Sequence, residues 1–212
     1  MEAGKKTLFY KITWISNIIK NGLFWHGMRN TLAKIGFDFM PYFWEIGSID
    51  IKSPRIRDDE SKYQLSIFGE EEITFIKNNV IGIAHKDLIN DLKNGDTCLG
   101  IKNDGIITVY SFIKHETFSF RGREFVIKPS EGYVHNTYTF EDFRGRNLAP
   151  YLRYQCYEYL KGKGVYKYYS ISEYFNKPTL KYKQKLNIKP QNLYLSVILF
   201  KRWVFNFTLK SY

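Results

Sequence analysis

The stretch Phe140-Glu141-Asp142-Phe143-Arg144-Gly145-Arg146-Asn147-Leu148-Ala149 joins two segments of different character. Before it, Tyr133 to Phe140 is an apolar run that reads as a strand. After it, Asn147 to Leu160 reads as an amphipathic helix that ends at Gly162 and Gly164. A glycine in a strand-to-helix turn lets backbone N–H groups converge on an anion. The helix start adds unpaired donors and a partial positive charge. Arg144 and Arg146 supply mobile cations. A pyrophosphate suits such a turn; the alternative is a tight turn with solvated arginines.

Outward from this turn the order is regular. Tyr63 to Phe68 reads as a strand. Gly69 and three acids, Glu70 to Glu72, open a helix to about Asn78. Ala84 to Lys93 reads as a second helix. Cys98 to Ile101 and Ile106 to Ile113 form a hairpin around Asn103-Asp104-Gly105. Beyond the turn and its helix come a strand at Tyr166 to Ile171 and a short helix at Pro178 to Leu186. Two closing strands follow, Asn192 to Phe200 and Trp203 to Leu209. The expectation is an α/β (α+β) domain over 63–212: a mixed, largely antiparallel, splayed sheet with helices on both faces. Residues 1–62 are expected to be an N-terminal helical extension packed on it. In that part, 8–35 carry helical stripes interrupted at Asn21-Gly22, and 36–62 read as irregular because of Pro41, Gly47 and Pro54.

The element order and the turn resemble the GNAT superfamily of acetyl-CoA-dependent N-acetyltransferases. The family's turn reads Gln/Arg-x-x-Gly-x-Gly/Ala. Here Arg144 and Ala149 match, and Asn147 stands at the usual glycine. Asparagine is the residue best able to replace glycine in the left-handed region. A second family pattern, Asn-x-x-Ala/Ser-x-x-x-Tyr-x-x-x-Gly-Phe, aligns with Asn176, Thr179, Lys183, Asn187 and Ile188.

The resemblance implies acetyl transfer from acetyl-CoA, or another acyl-CoA, to the primary amine of a small molecule in a ternary complex. It places pantetheine along Thr137, Tyr138, Thr139 and Phe140, in the gap where the fourth strand leaves the fifth. It places the diphosphate over Arg144, Gly145, Arg146, Asn147, Leu148 and Ala149. Asn176 would meet the cofactor arm near its sulfur, or cap the helix that follows. Backbone N–H groups near Tyr138 and Thr139 would polarise the thioester carbonyl. His135 is the first candidate for the base and Glu173 the second. The tyrosine that usually acts as acid is replaced by Lys183. Tyr174 is a candidate phenol in its place, with Tyr133, Tyr138 and Tyr169 as others; Tyr182 is adjacent but turned by about 100° along the helix.

The chain has 212 residues, 32 Lys+Arg against 21 Asp+Glu, and a net charge of +11. Between Arg144 and Lys189 there are 11 basic and 2 acidic residues, so the surplus is concentrated at the expected cofactor site. This surplus also suits RNA or acidic lipid. No RRM, KH or zinc-knuckle signature is present, so no specific nucleic acid is expected. Cys98 and Cys156, 58 positions apart, make no metal-ligand pattern and are expected as reduced core thiols. The polar start argues against a cleaved signal peptide, and no apolar run reaches the roughly 20 residues of a spanning helix. The expected location is cytoplasmic. Residues 8–35, with Trp14 and Trp25, are open to a second reading, an interfacial helix at the inner face of a membrane. The acceptor could be an amino sugar or lipid-linked, and the chain a monomer or homodimer. The alternative function is a GNAT-fold binding protein without catalysis, or a basic RNA- or membrane-associated protein.

Overall fold

The computed structural model describes residues 23–47, 51–80 and 87–212. Helix α1 (Phe24–Lys34) is followed by strand β1 (Phe37–Gly47). Gly36 makes the corner between them at φ +96°. A side chain there would strike the Phe200 backbone at 3.2 Å, and Phe200 N–H donates to its carbonyl at 2.6 Å. The membrane reading of 8–35 falls mostly on residues outside the described ones.

β1 corrects the reading of 36–62 as irregular. It is an eleven-residue strand inside the sheet, not part of a helical extension. Pro41 cannot donate to a ladder, yet it is tolerated. Pairing with the neighbouring strand stops at Tyr42, and the Pro41 carbonyl accepts the next free donor, Tyr174 N–H, at 2.9 Å.

From residue 63 the expected order is present. It runs β2 (Tyr63–Phe68), α2 (Glu70–Asn79), α3 (Leu88–Lys93), β3 (Thr97–Asn103) and β4 (Ile106–Lys114). An unforeseen hairpin follows, β5 (Phe118–Phe120) and β6 (Arg123–Phe125). Then come β7 (Glu131–Thr139), α4 (Leu148–Gly162), β8 (Lys167–Glu173), α5 (Lys177–Lys185), β9 (Lys189–Leu199) and β10 (Trp203–Ser211). The Asp104-Gly105 turn has φ of +48° and +82°, as a two-residue hairpin with right-handed strand twist requires. For the expected helix from Ala84, residues 84–86 lie outside the described ones.

The main sheet has eight strands in the order β10-β9-β1-β8-β7-β4-β3-β2. Every pairing is antiparallel except β7 with β8. This is a mixed α/β fold with a largely antiparallel sheet. α4 covers one face, where Leu148, Leu152, Cys156 and Leu160 meet Val109, Ile113, Val134 and Tyr168. α2 and α3 cover β2 to β4 on the other face through Ile73, Ile76 and Leu88 on Phe68, Cys98 and Phe112. The β5–β6 hairpin lays Phe118, Phe120 and Phe125 against Tyr42, Trp44 and Tyr133. Both cysteines are free and buried, as expected.

Candidate active site

The site begins where β7 and β8 separate. Their parallel pairing covers only Glu131–Tyr133 against Lys167–Tyr169. Beyond it, β7 stays with β4 while β8 stays with β1, so the sheet opens like a V. β7 also carries a bulge: Tyr138 faces Tyr110 and His135 faces Phe112, with Asn136 at φ +50° in the extra position. Phe140 N–H donates to Thr108 O. By the alternation of an antiparallel strand, Tyr138 also points its amide at β4, while Thr139 points into the gap. Of the two amides expected to face a carbonyl, only that of Thr139 is turned the right way.

A cleft of about 460 Å³ passes through this opening. One wall carries Arg153, Ser172, Thr179, Tyr182 and Lys183; the other carries Met40, Phe118, Phe120, His135 and Glu173. A second hollow of about 220 Å³ lies over the turn, lined by Thr139, Arg144, Gly145, Asn147, Leu148, Ala149 and Tyr182. Tyr182 borders both. It is half-buried, and its phenol lies within reach of Thr137. The helical rotation that separates it from Lys183 turns Tyr182, not Lys183, towards the turn.

The turn has the expected backbone. Asn147 is left-handed at φ +63° and Gly145 at φ +85°. A Cβ on Gly145 would meet nothing within 4 Å, so the space above the turn is open. The two arginines differ. Arg144 reaches Thr139 O at 3.2 Å and Glu141 at 3.2 Å from an exposed position. Arg146 is tied to Asp58 at 2.7 Å and to Tyr63 Oη at 3.0 Å. A strap of residues 55–58 crosses here: Asn147 Nδ2 donates to Arg55 O and Arg57 N–H to Arg146 O.

His135 stacks on Tyr133 with ring centroids 5.1 Å apart. Its Nε2 lies 3.3 Å from Asp96 Oδ2, and Lys114 neutralises Asp96 at 2.8 Å. Burial holds the imidazole below its usual pKa, and the Asp96 carboxylate pulls the other way. Glu173 ends β8 and lines the cleft, but Arg29 Nη1 is 2.8 Å away and His26 Nδ1 2.9 Å. Burial would raise its pKa; the His26 and Arg29 contacts outweigh this and hold it below the carboxylate range. A carboxylate so paired is a poor proton acceptor. Tyr174 lies outside the cleft, against Phe43 and Phe175. Asn176 lines the cleft and caps α5, accepting from Thr179 N–H at 3.3 Å. Asn187 closes that helix in the left-handed region at φ +53°.

Sequence reading found Lys183 without its partners, and it missed Arg153 and Asp96. Lys183 is buried, with Nζ donating to Glu45 at 2.6 Å, Ser172 Oγ at 2.6 Å and Ser170 Oγ at 2.9 Å. Burial pushes this ammonium down to about 8, against the pull of Glu45. Arg153 is also buried, and Asp96 stands behind His135. Glu45 could have been flagged as a lone acid inside Tyr42-Phe43-Trp44-Glu45-Ile46, because a charge in such a run needs a partner.

No protein-family model and no curated protein matches the sequence. Solved structures do. The glucosamine N-acetyltransferase region of a fungal multi-domain β-N-acetylglucosaminidase superposes with a TM-score of 0.60 at 16% identity, over 82% of this chain and 23% of that one. A GNAT-family protein from Novosphingobium aromaticivorans gives 0.54 at 17% identity, over 76% and 64%. A GNAT-family acetyltransferase from Colwellia psychrerythraea gives 0.56 at 13% identity, over 80% and 60%.

The chain has the GNAT fold.

It spans less than two thirds of the length of each of these structures. The turn at the start of α4 is open and left-handed, and the sheet gap beside it has strand backbone facing in, which are features that could hold an extended arm and a diphosphate. In the described residues no group of three or more acids, histidines or cysteines could hold a metal. Nor is any helix among them long and apolar enough to cross a membrane.

Proposed function

We propose that the chain is an acyl-CoA-dependent N-acyltransferase acting on a primary amine of a small molecule. The opening of β7 from β8, leading from the turn at Arg144 past His135, is the observation that carries this reading. An acyl-CoA, acetyl-CoA being the simplest, supplies an activated thioester when bound. Thr137 and Thr139 offer strand backbone to its extended arm, in the manner of an added strand. The N–H groups of Gly145 to Ala149 and the start of α4 suit its diphosphate, with Arg144 as the nearby cation, its only acidic partner among the described residues being the exposed Glu141. Asn176 lines the cleft, and the resemblance assigns it to the sulfur end of the arm.

His135 is the base. Nε2–H is directed to Asp96, which leaves the lone pair on Nδ1. Its lowered pKa keeps the ring neutral at pH 7, ready to take the ammonium proton of the acceptor. Tyr182 holds a proton at its phenol between cleft and turn, and burial keeps it there above the usual tyrosine range. That is the place for the acid. Met40, Phe118 and Phe120 give the acceptor side an apolar wall. An amino sugar is the first acceptor class to screen, since a flat apolar wall stacks on a sugar face.

The test is calorimetry with coenzyme A and acetyl-CoA, beside an Arg144→Glu variant. Arg146 is a poor control because Asp58 already holds it. Binding that weakens about tenfold or more in the variant supports the reading, as expected for reversing a charge beside a diphosphate. His135→Ala should then keep binding and lose about 10²–10⁴-fold in turnover. The wild-type acid limb should fall below the ordinary histidine value of about 6.5. Absence of binding at millimolar coenzyme A would sink the proposal and leave a binding protein without this chemistry.

A further inference from the structure

Arg153 on α4 is 1% exposed and lines the cleft. Nη1 donates to Val134 O at 3.0 Å and Nε to Tyr157 Oη at 3.1 Å. Nη2 is buried without a partner. No carboxylate among the described residues pairs with this guanidinium. The neighbouring Lys183 differs, because Glu45 matches its charge and two serine hydroxyls take its remaining protons. The cleft wall therefore carries one surplus positive charge in a buried place. Such a charge carries an uncompensated desolvation cost until an anion meets it.

The position of Arg153 narrows the anion. Val134, which it grips, is the first β7 residue past the last parallel pair, Tyr133 with Tyr169. Arg153 thus stands at the closed end of the V, and the turn of Arg144 to Ala149 lies at the open end. On the function proposed above, on which this inference rests, the diphosphate sits at the open end. The arm then runs inward and its acyl group ends near Arg153. A methyl group offers a guanidinium nothing. A carboxylate offers a charge and two acceptors in the geometry arginine is built to hold.

We infer that the acyl group is that of a short dicarboxylic acid, its free carboxylate received by Arg153 Nη2 at the closed end of the opening. A carboxylate on the amine acceptor is the other source of the same chemistry, and it would have to enter from the His135 side.

Calorimetry on the full chain compares coenzyme A, acetyl-CoA, malonyl-CoA and succinyl-CoA. Malonyl- or succinyl-CoA should bind about tenfold or more tighter than acetyl-CoA, the scale of one charge-assisted pair. In Arg153→Met that ratio should collapse towards one, and in Arg153→Lys it should fall only in part. Thermal melting checks that each variant folds; if neither does, the wild-type series still decides. Equal affinities in the wild type, or a preference that survives Arg153→Met, overturn the inference. So does a preference seen only between acceptors, glycine over methylamine, which would put the carboxylate on the amine. Failure of coenzyme A itself to bind marks failure of the enzyme reading, and this inference falls with it.

Discussion

At Lys183 a full charge is held in the interior by three side chains from three different strand positions: Glu45 on β1 and Ser170 and Ser172 on β8. Removing one partner strands the other. Lys183→Met or Glu45→Gln alone should cost about 3–5 kcal/mol, while a double replacement by apolar residues of similar volume should recover most of it. The pH dependence is specific to this group. Its folded pKa of about 8 lies below the ordinary 10.5. Between those values the unfolded chain binds more protons than the folded one, so stability from this lysine rises with pH across the window. Below about 8 both states are protonated and the burial cost is complete. Melting wild type and Lys183→Met at pH 7.5 and 9.5 should therefore show the gap moving in favour of wild type at the higher pH. An unchanged gap would mean that the lysine titrates as it does in water. The pair was beyond reading from sequence because its members are 138 positions apart. The spacing of Asn176 and Lys183 located one member, and only the sheet supplies the other.

Among the elements, β1 separates what was legible from what was not. Apart from the β5–β6 hairpin, strands and helices from residue 63 onward were readable because each shows one periodicity and most are closed by glycine, asparagine or proline. The Asn103-Asp104-Gly105 turn and the left-handed Asn147 are local chemistry, visible without tertiary context. β1 has neither signal. Phe37, Phe39 and Phe43 lie on one side and Met40, Tyr42 and Trp44 on the other, so no polar face alternates with an apolar one. Pro41 then reads as a breaker, and only the end of the β1–β8 pairing at Tyr42 explains why it is tolerated. The β5–β6 hairpin was missed for its length, three residues a strand. Its aromatic face has a partner only because β1 is there. Trp44 lies 4.5 Å from Phe125 and 4.7 Å from Tyr169, so it joins hairpin, β1 and β8. Trp44→Ala should cost about 3–5 kcal/mol. The melting temperature should fall by roughly 10 °C for a chain of this size. A loss under about 1 kcal/mol in urea titration would show that the aromatic layer is not a shared core.

Across the whole molecule the charge surplus is less of a surface property than the composition suggests. Of the 11 basic residues between Arg144 and Lys189, Arg153 and Lys183 are inside, and Arg146 is bound to Asp58. Of the rest, Arg144 stands at the turn, Lys161, Lys163 and Lys167 at the far end of α4 and the start of β8, and Lys177, Lys181, Lys185 and Lys189 on α5 and at the start of β9. A second charged network ties together the β1 and β8 side of the cleft. Arg29 of α1 bridges Asp38 of β1 at 2.7 Å and Glu173 of β8 at 2.8 Å. Arg121, between β5 and β6, also reaches Asp38, at 2.6 Å. One arginine thus links the first described helix to the sheet, and shares Asp38 with the hairpin, beside the cleft. Burial pushes both carboxylates up, and their cations hold them below the ordinary 3.8 of Asp38 and 4.5 of Glu173. Groups with lowered folded pKa values add stability above those ordinary values and lose it as pH falls through the folded ones. Arg29→Met removes the largest pull on Asp38 and, behind that of His26, a further pull on Glu173. At pH 7 the variant should unfold at lower urea, with a loss of about 1–3 kcal/mol for partly buried, charge-assisted pairs. At pH 3 and below, where the carboxylates are being protonated in both proteins, the two urea midpoints should converge. A gap of the same size at both pH values would assign the role of Arg29 to the packing of its stem rather than to its charge, and the network would then not be what fastens α1 to β1 and β8.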